Sequence, residues 1–188
     1  MCGIVGIVGL ADAPRLVREG LTRLEYRGYD SAGIAWSEPG APLNVERRVG
    51  RVAGLPPIEK PACTLAIGHT RWATHGGVTQ ANAHPHLDGT GRFAVVHNGT
   101  LEEHATLRSE LEGKGHVFSS ETDSEVLSHL YERERRAHPP LEALRKATHG
   151  LQGSWSFLMM DGDARAIAFV RQRTPLLLGI AEGATLFA

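Results

Sequence analysis

The 188-residue chain has only two cysteines, Cys2 and Cys63. That is too few for a disulfide framework, and no Cys-x-x-Cys pair or zinc-type spacing is present, so a reducing, cytoplasmic compartment is expected. Net charge is also lacking: 20 Lys and Arg against 21 Asp and Glu leave a formal −1. With no long basic run, the electrostatic footprint of a nucleic-acid or anionic-membrane binder is missing. Arg133, Arg135 and Arg136 alternate with Glu132 and Glu134 and read as a solvated helix face. No apolar stretch approaches the roughly 20 residues of a membrane span, and the start lacks the basic-then-apolar layout of a signal peptide. Neither an internal repeat nor a low-complexity segment is visible. What remains, at 41% hydrophobic and 22% charged residues, is an ordinary globular chain long enough to bury one core.

The stretch that organises the rest is MCGIVGIVGL. If Met1 is removed, Cys2 carries a thiol and a free α-amine on adjacent carbons, a nucleophile and a base in one residue. By itself Cys2 reads equally well as a small apolar residue at the start of a strand.

The chain then reads as a strand over 2–10 and a helix begun by Asp12 and Pro14 with Leu16, Val17, Leu21 and Leu24 on one face. A tight loop follows at YRGYDS, then strands at GIAW, 43–49 and 64–68, with GLPPIEKP as connector. Residues 69–91 lack apolar periodicity and read as a long functional loop. FAVVHNG is a core strand expected to end in an Asn-Gly turn. Thr100 with Glu103, and Thr122 with Glu125, are capping-box signatures for two helices, which places Asp123 in a first helical turn. Pro139 and Pro140 separate a further helix over 141–148. The remainder reads as antiparallel strands with Asp-Gly and Glu-Gly turns, and the whole as an α+β fold. Five of the ten histidines, His69, His75, His84, His86 and His97, crowd one region. No helical metal-binding spacing accompanies them, so no metal site is expected there.

Five segments in order, MCGIVGIVG, LEYRGYDSAGIA, GHTRWATHG with NAHPH, VVHNG and ETDSEV, resemble the glutaminase domain of the glutamine:fructose-6-phosphate amidotransferase family. The YRGYDS and RWATH segments separate it from related purine-pathway domains, which carry something like HRGQ and RYST. The resemblance implies a four-layer αββα sandwich of the N-terminal nucleophile hydrolase type that converts L-glutamine to glutamate and ammonia without a cofactor. It assigns Cys2 as nucleophile and Asn98 and Gly99 as oxyanion hole. Arg71 takes the glutamine α-carboxylate, for which its planar fork is suited, and Asp123 takes the α-ammonium group. Trp72, Thr74, His75 and Gly76 match a loop that closes over the substrate, and Arg27 a residue ordering the N-terminus.

The resemblance spans nearly the whole chain as one glutaminase domain, residues 1–188. The sugar-phosphate isomerase domains that follow in the family are not present, the ending at LFA reads as a truncated domain, and the linker before Cys63 is shorter than usual. Two other readings stay open: the glutaminase domain of a different class II amidotransferase, and a non-catalytic domain that binds glutamine or a partner chain.

Overall fold

The computed structural model describes residues 2–72 and 77–188. Among these residues ten strands form two antiparallel sheets. The first contains β1 (Gly3–Val8), β2 (Ser31–Trp36), β3 (Asn44–Val49), β4 (Leu65–Arg71), β9 (Leu178–Ala181) and β10 (Ala184–Phe187), in the order β3-β2-β4-β1-β10-β9. The second is β5 (His86–Leu87), β6 (Phe93–Leu101), β7 (Gly153–Asp161) and β8 (Ala166–Gln172), in that order. Helix α1 (Ala13–Leu24) covers the outer face of the first sheet. Helices α2 (His104–Glu112), α3 (Glu125–Arg135) and α4 (Pro140–Ala147) cover the outer face of the second.

Strand alternation explains these layers, because successive side chains on a strand point to opposite faces. In β6, Phe93 and Val95 join the cluster under α3 and α4, whereas Ala94 and Val96 join the cluster between the sheets. In β7, Phe157 and Met159 go to the helices, Leu158 and Met160 to the space between the sheets. The first sheet does the same: Val5 and Ile7 meet α1, while Ile4, Leu65 and Ile67 face inward. Three apolar cores result, one for each boundary between neighbouring layers of an αββα sandwich.

Helix α1 seats its stripe Ala13, Val17 and Leu21, all fully buried, on β1 and β4. Each such side chain removed from water contributes about 1.5–3 kcal/mol before entropy is counted. The close approach depends on Gly68, where an added Cβ would lie 2.6 Å from Val17 Cγ1 and 2.9 Å from Leu21 Cδ1.

The elements follow the sequence expectation except that β5 lies inside the expected 69–91 loop, that Glu132, read as part of a solvated helix face, is buried, and in three further respects. Strand β4 continues to Arg71, so His69, Thr70 and Arg71 belong to a buried strand and not to the start of a long loop. Strand β6 passes through Asn98 and Gly99 to Leu101, so the Asn-Gly pair is inside a strand and makes no hairpin. Neither capping box forms: α2 and α3 start after Glu103 and Ser124, both without a side-chain cap, and Asp123 lies just ahead of α3. The carboxylate of Glu125 instead accepts the backbone N–H groups of Ser119 and Ser120, each at 2.7 Å. That reach-back stabilises the approach to the helix rather than its first turn.

Candidate active site

The alternation that builds the inner core also builds the site. Cys2 shares the face of Ile4, His69 and Arg71 share the face of Leu65 and Ile67, and Asn98 shares the face of Ala94 and Val96. Gly3 pairs with Thr70 across β1 and β4, which brings Cys2 to the C-terminal end of β4. The inner faces of both sheets therefore deliver polar side chains to one edge of the sandwich.

There the Trp72 N–H donates to Cys2 Sγ at 3.2 Å, and Gly3 N–H donates to Thr70 Oγ1 at 3.2 Å. Asn98 Nδ2 donates to the Cys2 carbonyl at 3.2 Å, and Asn98 Oδ1 lies 3.0 Å from His69 Nε2. Burial pushes His69 down to about 3 against the opposing effect of its bond to Asn98. The ring is thus neutral at pH 7, and with Asn98 Nδ2 turned to the Cys2 carbonyl, its Oδ1 accepts the His69 Nε2–H. Beside it, Gly99 has φ +119°, and a Cβ there would lie 2.0 Å from Ser154 O. Only glycine fits, since L side chains rarely adopt this conformation and the partner strand leaves no room.

Arg71 and Asp123 line one narrow cleft of about 40 Å³ with Cys2, Trp72, Gly99 and Ser124. Arg71 is only 5% exposed and donates from Nη1 to Gly77 O at 3.2 Å. Asp123 Oδ2 accepts Leu101 N–H at 3.0 Å, and its Oδ1 accepts Ser124 Oγ at 3.3 Å. A guanidinium and a carboxylate therefore line the same cleft as the thiol. Trp72 is 48% exposed, and its ring meets Tyr29 edge-on at 5.4 Å. Arg27 lies on the other side of Cys2, in a cavity of about 330 Å³ shared with Trp72, Asn98 and Thr174. Thr74, His75 and Gly76, expected to close over the substrate, lie outside the described residues.

Burial pushes the Cys2 thiol up, with the Trp72 N–H opposing, and burial pushes Cys63 up as well. The physical reason is desolvation of the thiolate, which one N–H donor does not offset.

Sequence reasoning missed the histidines as positioning groups. His69, His84 and His86 stack in series, at centroid distances of 4.1 and 4.5 Å. His86 Nε2 lies 3.0 Å from Thr122 Oγ1, and His97 Nδ1 lies 2.8 Å from Ser124 Oγ. These bonds hold the residues on either side of Asp123. Burial lowers all four pKa values, so the set is a neutral scaffold. The alternation of His97 with Asn98 on β6 was the available signal, since one had to face the helices if the other faced the thiol.

A thiol at the N-terminal strand of an αββα sandwich, beside a strand-borne Asn-Gly pair, defines the N-terminal nucleophile hydrolase class. The profile of the glutamine amidotransferase domain matches residues 69–188, and the chain belongs to that family. Curated relatives include the glutamine–fructose-6-phosphate aminotransferases (isomerizing) of Streptomyces coelicolor, 48% identical over 97% of this chain, and Thermus thermophilus, 45% identical over all of it. The chain spans 31% of the length of each. Among solved structures, the glutamine phosphoribosylpyrophosphate amidotransferase from B. subtilis in complex with ADP and GMP superposes with a TM-score of 0.80 at 28% identity. It covers all of this chain and 41% of its own. A structure described as the allosteric regulatory enzyme of purine biosynthesis gives 0.84 at 28% identity, with the same coverage of both chains. Among the described residues no helix is long and apolar enough to cross a membrane.

Proposed function

We propose that this chain is a glutaminase domain that hydrolyses L-glutamine to glutamate and ammonia through Cys2, for transfer of the ammonia to fructose 6-phosphate on a sugar-phosphate isomerase domain or subunit. The observation that carries the reading is the convergence of Cys2, Arg71, Gly99 and Asp123 on one cleft, with Asn98 locked against Cys2 by His69. In the reaction, Arg71 holds the substrate α-carboxylate and Asp123 its α-ammonium group, which sets the side-chain amide against Sγ. With Met1 removed, the α-amine of Cys2 takes the thiol proton as sulfur attacks the amide carbon. The developing oxyanion is held by Asn98 Nδ2 and Gly99 N–H. Collapse returns the proton to the leaving nitrogen as ammonia, and water cleaves the γ-glutamyl thioester to glutamate.

Trp72, with Thr74, His75 and Gly76, covers the substrate in this reading, and Arg27 orders the N-terminal strand. No metal or cofactor takes part. Both cysteines are free thiols, and a nucleophilic thiol must stay reduced, which supports a cytoplasmic setting. Identity to fructose-6-phosphate aminotransferases at 45–48%, against 28% to the purine-pathway structure, supports the sugar-phosphate acceptor over another class II acceptor.

Glutamine hydrolysis by protein with and without Met1, each verified by intact mass, tests the mechanism. Turnover is expected only after loss of Met1. Equal turnover with Met1 retained would refute the amine base, and no turnover in either form would leave the binding-domain reading standing.

A further inference from the structure

Away from the cleft, His116, His129 and Glu132 bring three donor atoms together. His116 Nδ1 lies 3.1 Å from His129 Nδ1 and 3.4 Å from Glu132 Oε2, and His129 Nδ1 lies 3.6 Å from Glu132 Oε2. A tetrahedral ion with ligand bonds of about 2.0–2.1 Å separates its ligand atoms by roughly 3.3–3.4 Å. The triangle observed has that size.

The three side chains are 7%, 0% and 4% exposed. Glu132 Oε2 is buried without a hydrogen bond, an arrangement that normally costs free energy. Its other oxygen is held by Arg136 Nη2 at 2.6 Å, which aims Oε2 at the two imidazoles. His129 Nε2 faces Glu125 Oε1 at 3.8 Å, so a ligated Nδ1 would leave the ring proton directed to a carboxylate, as metal-bound histidines usually have it. Gly89 leaves space above: a Cβ there would lie 3.6 Å from Glu132 Oε2 and 3.8 Å from His129 Cε1.

We propose that His116 Nδ1, His129 Nδ1 and Glu132 Oε2 bind one borderline divalent transition-metal ion of the Zn²⁺ class, with water in the fourth position. The donor set of two imidazoles and a carboxylate suits such an ion and disfavours Ca²⁺ or Mg²⁺. Three residues apart on α3, His129 and Glu132 share a helical face. His116 comes from the segment between α2 and α3. The ion therefore clips that segment to α3, and the same segment ends in Thr122 and Asp123 at the cleft. Its role is to fix a stretch of backbone, separate from the chemistry at Cys2.

The test is metal titration of the protein carrying Cys2→Ser, which removes the solvent-reachable thiol as a competing ligand. Zn²⁺ is expected to bind with one equivalent by calorimetry and to raise Tm. Co²⁺ in its place is expected to give the strong visible bands of a four-coordinate ion with no thiolate charge-transfer band. His116→Ala and Glu132→Gln should each weaken binding at least tenfold. In the Cys2 parent, both should leave metal-free glutamine turnover unchanged. Glu132→Gln keeps the shape of the side chain, so it reports ligation even if His116→Ala fails to fold. Failure of both ions to bind, an octahedral Co²⁺ spectrum, or full-strength binding by the Glu132→Gln protein would each overturn the site.

Discussion

The two thiols stand at opposite ends of β4 and are treated in opposite ways. Cys63, just ahead of β4, is 3% exposed and donates to the carbonyls of Ser37 and Leu65 at 3.3 and 3.4 Å. A thiol with only acceptors around it remains a thiol. Cys2, beside the far end of the same strand, meets the Trp72 N–H at 3.2 Å and borders three cavities. Burial raises both pKa values, so acidity does not distinguish them. Donors and access do, because a nucleophile needs a partner for its charge and room for the group it attacks.

The sharpest way to break this comparison is exchange of each sulfur for hydrogen. In protein freed of Met1, Cys2→Ala is expected to lower glutamine turnover by roughly 10⁴-fold or more, and Cys63→Ala to leave it nearly intact. A large loss from Cys63→Ala with unchanged Tm would end the distinction. An electrophilic glutamine analogue should likewise add its mass to Cys2 alone in peptide mapping.

Next in size is Asn98→Ala, which removes the proposed oxyanion donor from the Cys2 end. A fall in kcat of about 100–1,000-fold is expected, with little change in KM. An effect confined to KM would make Asn98 a substrate contact instead.

Arg71→Lys should raise KM for glutamine about 10–100-fold, because a point charge cannot reproduce a bidentate contact. Arg71 belongs to a strand and is buried, so Arg71→Ala will also lose stability, and the lysine variant is the cleaner probe. Unchanged KM in Arg71→Lys protein would remove the fork from the argument.

The last effect, on stability and not on turnover, concerns the imidazoles that crowd the Cys2 end. Burial depresses His69 and His86 to about 3, below an unfolded value near 6.5. Between these values the unfolded chain binds more protons, so stability is fully present above about pH 6.5 and declines as pH falls towards 3. The unfolding free energy from urea titrations should therefore fall between pH 7.5 and 5, by up to about 2 kcal/mol per imidazole. His86→Phe should flatten that slope in part, and an unaltered slope would place the titrating groups elsewhere.

How much of this was legible beforehand differs by residue. The α+β content and the amphipathic face of α1 are patterns within short stretches, and a linear reading captures those, whereas the αββα layering and the candidate cleft residues were implied by the family resemblance of five ordered segments. Asn98-Gly99 shows where such reading stops. The dipeptide is a good turn by local preference, yet nine residues of pairing with β7 carry β6 straight through it. Tertiary hydrogen bonding outweighed a local preference worth far less. Arg71 was taken from loop to strand by the same force, pairing with Ser31 of β2.

By itself the sequence determined which residue types were available and their period along each element: a cysteine behind the initiator, alternating apolar residues in β6 and β7, an arginine at 71 and an aspartate at 123. Only the tertiary structure decided that Cys2, His69, Arg71 and Asn98 share one inner edge, that Asn98 has its amide turned by a neutral imidazole, and that His116 meets His129 and Glu132. The reason is that these relations join residues from 13 to 96 positions apart. Strand alternation and helical period say which face a side chain takes, but only the packing of one layer on the next says what it meets there.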